Sequence, residues 1–594
     1  MDDEPENILE EKFEYQLPGG VAGVIRDRKT VKFPSNQRNY VSEDKISIVL
    51  NSNGLALDPV ESYIQFKLQV PFAEDEYTND TVTKAVDNQT GLGNIGHLIN
   101  GTQSLVRRMR VLSYAQQTME EIDMYNILSY TVEKAVCTDK WRAERTTEMY
   151  APRDIGYSNG SGIPVFEYGG GANDFRTRVC VPSLDTEGKF NVVTEEGALA
   201  DPVNNQTFGT GLTQLLFDAA ALRNGVTVTL KLRHSGLFGG KKIIPLQNLG
   251  QLVLEIDLER PHRVFRNLQL SYLDDTSGMR PYVLPCVGGN MQYNISEVFF
   301  VASMVQLSAL MQQGIDSAIK NGGLPLAFNS VYSTFHAVND ASGSYAITKA
   351  AANAISVFTV QHLQRGAVGG SAVSNKYTEA VYDAACTFES IRANITAAQY
   401  RLGTTSYPEF VMSKWTEFYE EAMKAIPVPW WADKDKASIP RHQYALNEFH
   451  TARVAYQSGT MKNYATLKPS ITMGAQDLSS VADCGKPHVA LLDKTCSENS
   501  FILGTTLTST TGVAMSGQST NAGQQLLLNI TQDSTPQIPY VPTSNDIYTP
   551  GAGTASLDNW SKITGQNRNR DMYNFMVYVR LVLIQPDMNV VIKE

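Results

Sequence analysis

The sequence predicts a mainly β fold made of two consecutive units of similar length. Three observations predict it: strict alternation of apolar and polar residues in several segments, few stretches with helical periodicity, and the same order of segments in each half. With 594 residues, 42% hydrophobic and 19% charged, the chain has ample material for real cores and none of the bias of a disordered chain.

In chain order, YIQFKLQV places Ile64, Phe66, Leu68 and Val70 on one face of a strand, since successive side chains of a strand point to opposite sides. MEEIDMYNILSYTVEKA carries Met119, Ile122, Tyr125, Leu128, Val132 and Ala135 at three-or-four spacing and predicts a helix with one apolar face. VTVTLKLR alternates Val226, Val228, Leu230 and Leu232, and LVLEIDLE alternates Leu252, Leu254, Ile256 and Leu258. A second helix is expected from about Tyr407 to Ala425, with Trp415, Phe418 and Ala422 facing one way before the stop signal of Pro427 and Pro429. NFMVYVRLVLIQ, rich in β-branched and aromatic residues, is a strand near the C-terminus.

These segments set the expected domains: an N-terminal arm at 1–44, a first unit at 45–275 with a long insertion at about 146–225, and a second unit at 276–594 with a long insertion at about 467–525. Both insertions are rich in Gly, Ser, Thr and Asn and far exceed an ordinary connection of about 4–6 residues. Functional surface is expected there. No residue-level repeat relates the halves, so the duplication is one of architecture.

Charge and cysteine usage exclude several classes. A net charge of −11 opposes nonspecific nucleic-acid binding, which needs clustered Lys and Arg. The compact basic runs, Arg107, Arg108 and Arg110, and Lys241 with Lys242, read as solvated strand faces or loop contacts. The six cysteines, Cys137, Cys180, Cys286, Cys386, Cys484 and Cys496, are scattered thiols of a protein made in a reducing compartment. The acidic opening MDDEPENILEEKFEY is no signal peptide, so sequons such as Asn100-Gly101-Thr102 and Asn394-Ile395-Thr396 reflect composition only. The longest apolar run, Val298 to Met311, is about six residues short of a bilayer span.

Motifs that spell chemistry fail on context. Gly91, Gly93 and Gly96 have dinucleotide-loop spacing, but no strand feeds the loop and no helix leaves it; tight turns between two strands explain them. Gly156, Ser158 and Gly160 spell a nucleophile elbow without its strand and helix. Gly236 and Gly240 are one residue too close for a phosphate loop. The histidines His97, His234, His262, His336, His362, His442, His450 and His488 form no ligand pair. Asp274-Asp275 and the Asp433, Asp435 pair are turn chemistry. Glu120-Glu121 and Glu420-Glu421 read as solvated helix faces, and Trp430-Trp431, beside Pro427 and Pro429, reads as a core or subunit-contact anchor. No catalytic, cofactor-binding or metal-ligating residue is predicted.

The order FPSNQRNYVSEDKISIVLNSNGLALDPVESYIQFKLQV, LVRRMRVLSYAQQTMEEIDMYNIL and VTVTLKLRHSGLFGGKKIIPLQNLGQLVLEIDLERP, followed by NMQYNISEVFFVASMVQLSALMQQGIDSAIKNGGLPLAFNSVYSTFHAV, resembles the double jelly-roll major capsid proteins, above all those of virophages and polinton-like viruses. The resemblance implies two consecutive eight-stranded antiparallel jelly rolls and no enzyme activity. It implies a homotrimeric, pseudo-hexameric capsomer, and capsomers that contact each other and tile an icosahedral shell around double-stranded DNA, with penton and other minor capsid proteins as partners. The shell belongs to the virion, made and assembled in the host cell cytoplasm; contact with an internal membrane stays open, and no cofactor, metal or specific nucleic-acid binding is implied. Two other classes stand beside it: a carbohydrate-active or carbohydrate-binding β-sandwich, which needs paired carboxylates about 5–9 Å apart in a cleft, and a trimeric viral receptor-binding protein.

Overall fold

The computed structural model describes residues 25–70, 95–138, 141–142, 144–150, 181–184, 190–193, 221–222, 224–272, 281–284, 293–338, 342–363, 390, 395–432, 439, 444, 501–508, 517–520, 524–532, 570–586 and 588–593. The first half runs β1 (Ile25–Pro34), β2 (Asn39–Val41), β3 (Lys45–Asn51), β4 (Ala56–Gln69), β5 (Ile95–Thr102), β6 (Val106–Ser113), β7 (Thr118–Asp123), α1 (Tyr125–Val136), β8 (Val181–Leu184), β9 (Phe190–Val193), β10 (Val226–Leu230), α2 (Leu246–Leu249), β11 (Gln251–Leu258), α3 (Pro261–Val264), β12 (Phe265–Tyr272), β13 (Pro281–Leu284) and β14 (Asn294–Leu307). After α4 (Ala309–Lys320) come β15 (Leu324–Val338), β16 (Ser342–Ile347), β17 (Ala354–Leu363), β18 (Ile395–Leu402), β19 (Thr405–Met412), α5 (Trp415–Ala425), β20 (Leu503–Thr506), β21 (Leu526–Gln532), β22 (Arg570–Ile584) and β23 (Val590–Lys593).

Two sheets of order β1-β14-β4-β10 and β3-β11-β6-β7 make the first unit, and two of order β15-β22-β17-β20 and β16-β21-β18-β19 make the second. Every neighbouring pair is antiparallel. Taken in chain order as eight strands, each unit places strands one, eight, three and six in one sheet and two, seven, four and five in the other, which is jelly-roll topology. The fold is a double jelly roll, as expected, and the second unit repeats the first strand for strand.

Alternation builds the cores. In β3, Ile46, Ile48 and Leu50 are buried between more exposed neighbours. Ile48 stands opposite Leu254 of β11, which stands opposite Val111 of β6, so the inner face is one apolar layer. The outward residues of the same sheet form a charge ladder. Lys45 meets Glu255 at 2.7 Å, Arg110 binds Glu255, and Arg108 reaches Asp257 at 2.6 Å and Glu121 at 3.5 Å. The basic run at Arg108 and Arg110 is thus an ion-paired strand face. In the second unit Phe358 of β17 stacks on Phe575 of β22, ring centroids 5.3 Å apart, and Gly504 of β20 lets α5 lie close: a Cβ there would meet Ala425 Cβ at 2.8 Å.

The boundary lies later than the sequence implied. β14, inside the expected second unit, hydrogen-bonds to β1 and β4 of the first, and β1 and β2 lie inside the expected arm. The reason is burial: Val298, Phe300, Ala302 and Met304 alternate into the first core, so β14 is a central strand and the turn-rich stretch before it is a long internal connection. The units are 25–307 and 324–593, joined by α4. Ser308 caps that helix by accepting from the Met311 amide at 3.4 Å, and Gly322 (φ 137°) and Gly323 (φ 97°) close it.

Both expected helices begin as strands. Residues 118–123 form β7 and residues 405–412 form β19, and helix follows only from Tyr125 and Trp415. Each is an edge strand running straight into a helix, so the apolar spacing carries across the change of structure; Met124, at φ 53°, makes the break in the first. The long connections fall on alternate crossings. Residues 70–105, 137–225 and 259–293 in the first unit, and 364–394, 426–502 and 533–569 in the second, join successive strands at one end of each sandwich, whereas 52–55, 114–117, 348–353 and 403–404 are the short turns of the opposite end. Most of the expected insertion 146–225 and residues 467–500 of the other lie outside the described residues; β20 and the start of β21's approach fall inside the expected 467–525, so the second long connection ends earlier than expected. Among the described residues no helix is long and apolar enough to cross a membrane.

Candidate functional site

The densest set of chemistry-bearing side chains lies where the two sandwiches meet. Edge strand β7 of the first unit lies against edge strand β15 of the second. Ser333 Oγ donates to Asp123 O at 2.7 Å and Arg580 Nη2 to Thr118 O at 3.0 Å. The turn after β10 closes on the same strand: Lys242 Nζ donates to Ala327 O at 3.1 Å, and a Cβ on Gly236 would meet Asn329 O at 2.2 Å. Only glycine permits that approach.

Glu120, expected on a solvated helix face, is fully buried on β7. Its carboxylate accepts from Ser235 Oγ at 2.5 Å, from the Gly236 amide at 2.6 Å, from the Leu237 amide at 3.2 Å and from Ser330 Oγ of the second unit at 3.4 Å. Burial pushes this carboxyl above its usual range, against the pull of those hydrogen bonds. A buried charge needs such partners.

A second network lies beside it. Glu133 of α1 accepts from Asn100 Nδ2 at 2.9 Å, Ser129 Oγ at 3.1 Å and Tyr150 OH at 3.1 Å, and its Oε1 lies 3.0 Å from His234 Nε2. Burial would raise it, but the His234 hydrogen bond and the nearby charges of His234, Arg233 and Arg142 prevail and hold it low. Arg233 forms a two-point pair with Glu148, and its guanidinium lies 5.2 Å from the Trp141 ring and 5.9 Å from that of Trp431.

The tryptophans carry this cluster to the second unit. Trp141 Nε1 donates to Trp431 O at 3.0 Å, Trp431 Nε1 to Arg233 O at 3.3 Å, and Trp430 Nε1 to Gly239 O at 2.8 Å. Trp430, exposed, and Trp431, partly buried, are not core residues as expected; within the chain they anchor one sandwich to the other. They wall a recess of about 280 Å³ with Phe238, Phe300, Leu232 and Arg145. Farther along, Arg263 of α3 lies against Tyr573 of β22, raising the Arg263 guanidinium against its own burial. Burial, then Arg263, lowers His362 there to about 3.

Because Glu133 is held below its ordinary 4.5, its contribution to stability is present above about that pH and lost as pH falls through the folded-state value. Glu120 works in the opposite sense: its raised carboxyl contributes below that pH and the contribution is lost as pH rises. Glu133→Gln is therefore expected to flatten the acid limb of a thermal-unfolding profile against pH, and an unchanged limb would refute the role given to Glu133.

Other sequence candidates stand apart from this set. Gly96 lies in β5, opposite Asn267, a strand position where a turn was expected, and Gly91 and Gly93 lie outside the described residues. The tight approach in that region belongs to Gly101 (φ 55°), where a Cβ would meet Glu148 O at 2.5 Å. Gly156, Ser158, Gly160, Asp274-Asp275, Asp433, Asp435, His442, His450, His488 and every cysteine but the buried Cys137 lie outside the described residues. Glu421, on α5, is buried and pairs with Lys424 at 2.6 Å; Glu420 is exposed, as expected. Among the described residues no three His, Cys, Asp or Glu side chains gather as a metal site. Within the set Arg233 pairs with Glu148 and His234 with Glu133, and the hydrogen bonds of Trp141, Trp430, Trp431, Ser333 and Arg580 tie one sandwich to the other.

No family model matches the sequence, and no curated protein matches it. Among solved structures, the chain is similar to the PBCV-1 virus capsid protein at 9% identity over 96% of both chains, TM-score 0.42. It is similar to the mavirus major capsid protein at 8% over 100% of this chain and 96% of the other, TM-score 0.39. The Faustovirus major capsid protein gives 8% over 94% and 90%, TM-score 0.43. The strand order of the two sandwiches by itself defines the double jelly roll.

Proposed function

We propose that the chain is the major capsid protein of a small icosahedral double-stranded DNA virus, a structural subunit without enzymatic activity. The observation that carries the reading is the duplication: two sandwiches of one topology stand in one chain, held by a self-paired polar junction. Two similar wedges per chain make six in a trimer, so a three-fold capsomer can fill a six-fold lattice position. The sequence resemblance adds the rest. Capsomers contact each other and tile a shell, penton and other minor proteins complete it, and the product is a virion assembled in the host cell cytoplasm.

The long connections support the same reading, because they leave one end of each sandwich and can meet above the trimer as a tower. At the junction Arg233 pairs with Glu148 and His234 with Glu133, while Glu120 is held by two serine hydroxyls and two backbone amides, as a structural clamp requires. Light scattering coupled to size exclusion, with negative-stain images, tests the proposal. Trimers of hexagonal outline are expected; a monomer would overturn it and bring forward the carbohydrate-active β-sandwich, to be tested by a glycan-hydrolysis screen.

A further inference from the structure

The recess beside the tryptophan pair is walled in part by residues of the junction, yet several polar side chains that line it are left over from the pairing there. Arg145 donates from Nη1 to Trp141 O at 2.7 Å and makes no ion pair among the described residues. Lys231 reaches only Val60 O, at 3.5 Å, too long for a strong hydrogen bond. Glu61, exposed, and the hydroxyl of Tyr63 have no side-chain partner among the described residues.

The two cations stand in an unbalanced field. Burial and the neighbouring Arg233 lower the Arg145 guanidinium, while Glu148 beside them is already bound at two points by Arg233. An anion in the recess would relieve that repulsion. The rest of the wall is aromatic and aliphatic, with half-exposed Trp430, Trp431, Phe238 and Leu232. The electron-rich face of an indole packs well on C–H groups.

Together these groups select a ligand. Arg145 and Lys231 call for one carboxylate, Glu61 and Tyr63 for neighbouring hydroxyls, and the indole rings for a saturated C–H face. A flat aromatic acid would leave Glu61 beside it unpaired. The volume of about 280 Å³ is near the lower limit of about 300 Å³ for small-molecule sites, which suits one ring. We infer that the recess binds a single acidic sugar ring, its carboxylate held by Arg145 and Lys231, its hydroxyls by Glu61 and Tyr63, and its C–H face by tryptophan. The site lies within one chain and goes beyond the capsid reading, since it needs neither a second copy nor a hydrolytic step.

The test uses the full chain and its tryptophan fluorescence, titrated with glucuronate. Saturable quenching with a Kd of about 1 mM is expected, at least about tenfold tighter than with glucose, which lacks the carboxylate, or with benzoate, which lacks the hydroxyls. Arg145→Gln with Lys231→Gln is expected to erase the preference over glucose, and Glu61→Ala with Tyr63→Phe the preference over benzoate. Should Arg145→Gln fail to fold, Lys231→Gln alone, at a partly exposed position, is expected to lower the preference over glucose by about threefold. Methyl β-glucuronide bound as tightly as the free acid would assign the site to the end of a glycan, and its loss would assign it to the free sugar; both keep the inference. No saturable quenching by glucuronate, or equal binding of glucose or benzoate, would overturn it and leave the capsomer reading standing. A chain that binds glucuronate but stays monomeric would overturn the capsomer reading alone.

Discussion

Arg233→Met is expected to destabilise the protein by about 3–5 kcal/mol, the cost of removing one member of a buried ion pair. The magnitude follows from what remains. Glu148, almost fully buried, loses the guanidinium that neutralises it, and Glu133 loses one of the charges that keep it ionised. Methionine fills much of the volume, so the loss is electrostatic more than steric. In differential scanning calorimetry the midpoint is expected to fall by roughly 10 °C. Adding Glu148→Gln is expected to recover more than half, because the unpaired buried charge is then gone. A fall of under about 1 kcal/mol in Arg233→Met would show that the pair contributes little beyond packing.

Phe358→Ala is expected to cost a similar amount, about 3–5 kcal/mol, through the cavity it leaves and the transfer energy it forfeits. Phe358 is fully buried, stacked on Phe575, and sits opposite Gly504 on the next strand. That glycine has no side chain to move into the space, and α5 is already in close contact over it, so the site has little freedom to collapse. The effect is confined to the second sandwich. A chemical denaturation midpoint shifted by less than that of an exposed control such as Leu310→Ala would contradict this account of the second core.

The alternating segments were legible in the sequence because each strand buries one face against the opposite sheet. LVLEIDL lies in β11, where Leu254, Ile256 and Leu258 are buried between partly exposed Glu255 and Asp257; NFMVYVRLVLI lies in β22, legible by its β-branched and aromatic content because residues 574–578 are buried on both faces. Where a strand is buried on both faces or sits at an edge, that signal fails. β14 joins two neighbours in mid-sheet, so its apolar run reads as the start of a new unit. β7 buries Met119, Glu120 and Ile122, so its pattern merged with that of α1.

The junction was less legible, for a different reason. Its partners are far apart in the chain: Arg233 and Glu148 are 85 residues apart, Trp141 and Trp431 290, and no local spacing announces such pairs. Glu120 looked solvated because a charged residue is usually exposed. Only the turn at Ser235 to Leu237, with its three donors, explains why it is not. Trp430 and Trp431 were the one visible mark of this site, by size alone.

The position of β14 has a consequence for the making of the protein. The strand that completes the first sandwich, between β1 and β4, leaves the ribosome about 240 residues after β4, which at about 5–20 residues per second is a delay of roughly 10–50 s. Through that interval β1 has no neighbour to zip to and β4 has none until β10 follows, and β22 imposes the same wait on β15, with β17 unpaired until β20. A nascent chain with open strand edges invites wrong pairing with its neighbours on the same message. Protection during synthesis, and a yield that falls when translation is crowded, are therefore built into the order of the strands.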